Sequence, residues 1–93
     1  MVLAEIVHTC THDAVAHAAA ASLGPEFLDR VRRAAQKRAL SPGAFVAQSV
    51  QRFSNAADEP ARRALQTAVR GTDMPLLRGL ALIVEPDLVD RSR

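Results

Sequence analysis

Residues 7–17, VHTCTHDAVAH, gather the most reactive side chains of the chain. His8, Cys10, His12, Asp13 and His17 stand within ten residues, and they include every histidine and the single cysteine of the sequence. Imidazole and thiolate together suit zinc, copper or nickel. On a strand, His8, Cys10 and His12 share one face; on a helix, His12 or Asp13 faces His17. The spacing matches no paired C-x-x-C pattern of a structural zinc site. A transition-metal site built from His8, Cys10, His12 and His17 therefore stands beside a plainer reading, a polar N-terminal arm whose histidines hold nothing. A Cys–His nucleophile pair also needs an oxyanion donor and a pocket, and the flanking residues suggest neither. No paired carboxylates, phosphate-cradling glycine loop or serine-triad context appears. The chain reads as a non-enzyme with no cofactor beyond that optional metal.

The bulky packing material lies elsewhere. All three aromatic residues, Phe27, Phe45 and Phe53, fall within residues 22–53. Gly24-Pro25 opens a helix, because proline loses nothing in a first turn. Phe27, Leu28, Val31, Ala35 and Leu40 then recur at roughly helical spacing. Ser41 is a natural N-cap with Pro42 behind it, and Phe45, Val46, Ser49, Val50 and Phe53 line one face of a second helix. These helices are expected over 25–39 and 42–55. A third is expected over about 60–70, with Ala61, Ala64, Leu65, Ala68 and Val69 as its apolar stripe and Gly71 as its stop. A fourth, capped by Thr72 or Asp73 with Pro75 in its first turn, runs to Glu85-Pro86. The run PLLRGLALIV in it is apolar almost all round, which implies burial against several neighbours. Residues 87–93 read as a polar tail.

Leu23, Pro25-Glu26, the basic run over 30–38, Ala39-Leu40-Ser41, and Phe45-Val46 with Val50 and Phe53 together resemble the ribbon-helix-helix family. The resemblance covers about forty residues and implies a mainly α homodimer: a short N-terminal strand and two core helices, with two C-terminal helices added. It divides the chain into an arm (1–16), a dimerisation and DNA-binding unit (17–55) and a helical extension (56–93). It also implies an antiparallel ribbon, formed with a twin chain and inserted into the major groove. In that register residues 17–23 form the strand, although the alanine run there is helical by propensity. Ala18, Ala20 and Ser22 would face the bases. Backbone N–H groups at Ser41, Gly43 and Ala44 would hold a phosphate, with Lys37 and Arg38 one turn earlier. For those two cations the plainer alternative is compensation of a helix dipole.

Charge distribution fits this reading. Residues 24–54 hold six Arg or Lys against two acids, a net +4, whereas residues 1–23 hold two acids and no Arg or Lys, a net −2. Ala18 and Ala20 offer base edges few hydrogen bonds, so a second function is carried beside the transcriptional regulator. This is a dimeric protein-interaction module, antitoxin-like or an adaptor, using residues 60–84 for a partner. The lone cysteine, the absence of a basic leader and the absence of an apolar run of about twenty residues imply a cytoplasmic protein without membrane contact. A two-helix unit alone is too small to bury a core, and a twin chain would supply the missing half.

Overall fold

The computed structural model describes residues 2–88 as six helices: α1 (Val2–Thr9), α2 (Asp13–Ala21), α3 (Pro25–Lys37), α4 (Pro42–Ala56), α5 (Glu59–Val69) and α6 (Pro75–Leu88). No strand occurs among the described residues. This overturns the ribbon-helix-helix resemblance and the fold class drawn from it. The stretch expected to form the ribbon is α2. Six of the nine residues in DAVAHAAAA are alanine, the best helix former, and no strand ladder is present to override that preference. Residues 2–10, part of the expected N-terminal arm (1–16), instead form α1 and its C-terminal turn.

Helices α4 and α5 begin at side-chain caps, whereas Gly24 before α3 provides none. Ser41 Oγ accepts from the Ala44 N–H at 3.2 Å, and Asp58 Oδ1 accepts from the Ala61 N–H at 3.0 Å. Proline occupies the first turn of α3, α4 and α5, and Pro75 starts α6. The α3 helix ends in a Schellman motif: Leu40 N–H donates to Ala35 O (2.9 Å) and Ala39 N–H to Gln36 O (3.1 Å). That geometry puts Ala39 at φ +56°, where glycine usually sits. Gly71, at φ +81°, ends α5 as expected. Pro86 does not stop α6, which runs on to Leu88; a proline so near the end removes little of the hydrogen-bond ladder. Of the tail expected over 87–93, residues 89–93 lie outside the described residues.

Helix α4 is the axis of the bundle. Its Phe45, Val46, Ser49 and Val50 are buried, and α1, α2, α3 and α6 pack around it. Every helix contributes: Ile6 from α1, Ala16 and Ala20 from α2, Val31 and Ala35 from α3, Leu65 and Val69 from α5, and Leu80, Ile83 and Val84 from α6. A single chain thus closes its own core, which removes the reason for expecting an intertwined twin. On α5 only Leu65 and Val69 of the expected stripe are buried, and Ala64 and Ala68 face solvent. The apolar circumference of α6 is accounted for by its position, since it touches each of the other five helices.

Small residues set the closest approach in the bundle. Gly43, on the second residue of α4, faces Asp13 at the start of α2, and a Cβ there would collide with the Asp13 carbonyl oxygen and carboxylate. Ala16, Ala19 and Ala20 continue the buried face of α2. Alanine is therefore the packing residue of α2 as well as its helix former.

Candidate functional site

The start of α4 combines Ser41, Gly43 and Ala44, the residues expected to hold a phosphate. Ser41 Oγ donates to Asp13 Oδ2 at 2.5 Å while accepting from Ala44 N–H. A carboxylate from α2 thus occupies the neighbourhood that an anion would need. The N-terminal dipole of α4 and the short charge-assisted bond both favour it there. Gly43 is buried beneath this contact. The arrangement joins two helices across 28 residues of sequence and leaves no open anion cradle at Gly43.

Of the three residues expected to read bases, Ala18 is exposed on α2, Ala20 is fully buried, and Ser22 donates from Oγ to the Ala18 carbonyl at 3.0 Å. They share no outward face. Lys37 and Arg38 are exposed at the end of α3, and the Arg38 guanidinium lies 5.3 Å from the centroid of the Phe45 ring. Arg32 and Arg33 are exposed one turn earlier, with Arg33 3.4 Å from Asp29. The basic end of α3 is therefore exposed to solvent.

The histidine–cysteine segment is split by the turn between α1 and α2. His8 and His12 are exposed and His17 is half-buried, but Cys10 points into the core at 3% exposure. Among the described residues no three of His, Cys, Asp and Glu come together to hold a metal. Burial also pushes the Cys10 thiol up to about 11, because a thiolate would lose its hydration there. Metal ligation and nucleophilic attack both need the thiolate, so the shift opposes each of them.

Two features were not visible in the sequence. Met74, between α5 and α6, is 60% exposed. Two residues on, Leu76 borders a cleft of about 430 Å³ with Ala4, Glu5, His8 and Thr9 of α1. The second is Ser49, which the spacing placed correctly on the buried face of α4. Its hydroxyl, at 2% residue exposure, has no hydrogen-bond partner. No helix among the described residues is long and apolar enough to cross a membrane. No protein-family profile, curated protein or solved structure matches the chain.

Proposed function

We propose that the chain is a small non-catalytic helical module that binds a partner protein on the α1–α6 side of its bundle. The exposure of Met74, two residues before the Leu76 that borders the cleft with α1, carries this reading. An exposed thioether suits an adaptable protein contact. Both residues fall within 60–84, the stretch assigned to a partner. The single buried thiol suits a reducing compartment, the cytoplasm. Immobilised protein should retain a discrete partner from extracts of its native cell, and Met74→Asp should lose it. Equal retention by the variant refutes the reading.

A second reading rests on Arg32, Arg33, Lys37 and Arg38, which are all exposed at one end of α3. Such a patch supports contact with the phosphates of DNA without base readout, and hence affinity that falls steeply with salt. Fluorescence anisotropy with a mixed-sequence duplex at two salt concentrations tests it. Binding should weaken on raising salt and disappear in the Lys37→Glu/Arg38→Glu variant. Absence of binding at low salt ends this reading.

A further inference from the structure

Ser49, Arg52 and Phe53 of α4 face Ile83, Pro86 and Asp87 of α6 across a cleft of about 210 Å³. One of its polar groups is unmatched. The Ser49 hydroxyl is buried without a partner, although buried polar atoms are almost always satisfied. Arg52 Nη2 donates to Asp87 Oδ2 at 3.2 Å, which engages one of five guanidinium N–H groups. The Ser49 hydroxyl and the guanidinium N–H groups not engaged by Asp87 are thus donors that an added acceptor in the cleft could use. Phe53, Ile83 and Pro86 supply apolar walls beside them.

We propose that this cleft binds a small carboxylate with a short aliphatic body. The carboxylate accepts from the Ser49 hydroxyl and from a second guanidinium nitrogen of Arg52, whose planar fork can serve two acceptors. The aliphatic part covers Phe53, Ile83 and Pro86. Asp87 shares Arg52 with the ligand and repels its charge, so the ion pair limits affinity. The site lies between α4 and α6 and is separate from the Met74 region proposed for a partner.

Butyrate, with butyramide as its uncharged counterpart, tests this by amide NMR titration of the full chain at constant ionic strength. Butyrate should give saturable shifts at Ser49, Arg52, Phe53, Ile83 and Asp87. Ser49→Ala should weaken binding about fivefold or more, the effect of one lost hydrogen bond. Asp87→Asn should tighten butyrate binding and leave butyramide unchanged. Arg52→Gln, at an exposed side chain, should abolish the preference for butyrate and gives a second reading if Ser49→Ala folds poorly. Absence of saturable shifts up to about 50 mM, far into the weak-binding range, overturns the proposal. So does unchanged affinity in Ser49→Ala, or equal affinity for butyramide and butyrate.

Discussion

Replacing Ser49 with alanine should stabilise the ligand-free protein, contrary to the usual effect of changing a core residue. The hydroxyl sits at 2% exposure without a partner, so removing it recovers a desolvation cost of about 1–3 kcal/mol. Alanine in the interior of α4 adds about 0.5 kcal/mol of helix propensity over serine. Against this stands the lost packing of one oxygen atom, a few tenths of a kcal/mol. The net gain is about 1–3 kcal/mol, and at roughly 4–8 °C per kcal/mol for a domain of this size Tm should rise by about 5 °C or more. Circular dichroism during heating and in urea measures it, with an unchanged m-value as evidence that the unfolded state is the same. Gln48→Ala, on an exposed position of the same helix, isolates the propensity contribution. A loss of stability in Ser49→Ala, or a gain no larger than that of Gln48→Ala, refutes the reasoning and removes the premise of the carboxylate site.

Gly43→Ala should cost about 1–3 kcal/mol or more in urea denaturation, because its new Cβ meets the Asp13 backbone. Asp13→Ala should not rescue it, since the carbonyl oxygen stays in place. At Ala39, φ +56° should make Ala39→Gly stabilising by up to about 1 kcal/mol and Ala39→Val destabilising, both read from thermal melts. Cys10 predicts an alkaline loss of stability. An unfolded thiol deprotonates near its ordinary value of 9.0, while the folded one keeps its proton to about 11. Between those values the unfolded state binds fewer protons, so stability falls as pH rises, by no more than about 2–3 kcal/mol. Urea titrations at pH 8 to 11 should show this decline and a shallower one in Cys10→Ala.

Local signals were read best where they act locally. Pro25, Ser41-Pro42, Gly71 and the apolar face around Phe45 mark their helices within a few residues of the observed bounds. The circumference of α6 correctly implied several packing neighbours. The misreading came at α2, where a family register was set above the helix preference of the alanine run. Cβ-sized fits between distant segments leave no sequence signature, so the Asp13–Gly43 approach could not be read. For the same reason nothing showed that α1, α2, α5 and α6 would close the core that α3 and α4 leave open. Ser49 was legible as a core position, but the missing partner of its hydroxyl depends on what lies opposite on α6. The expected metal ligands do not come together among the described residues, because a turn separates His8 from His12 and Cys10 faces inward.

The position of α6 has a consequence for synthesis. It is the last described helix to leave the ribosome, yet all five earlier helices rest against it. Until α6 emerges, the faces of α4 and α5 that pack against it lack that cover, a window in which exposed apolar surface invites aggregation. A stop codon before residue 75 would leave that surface permanently uncovered, and cooperative folding should first appear once residues 75–88 have left the ribosome.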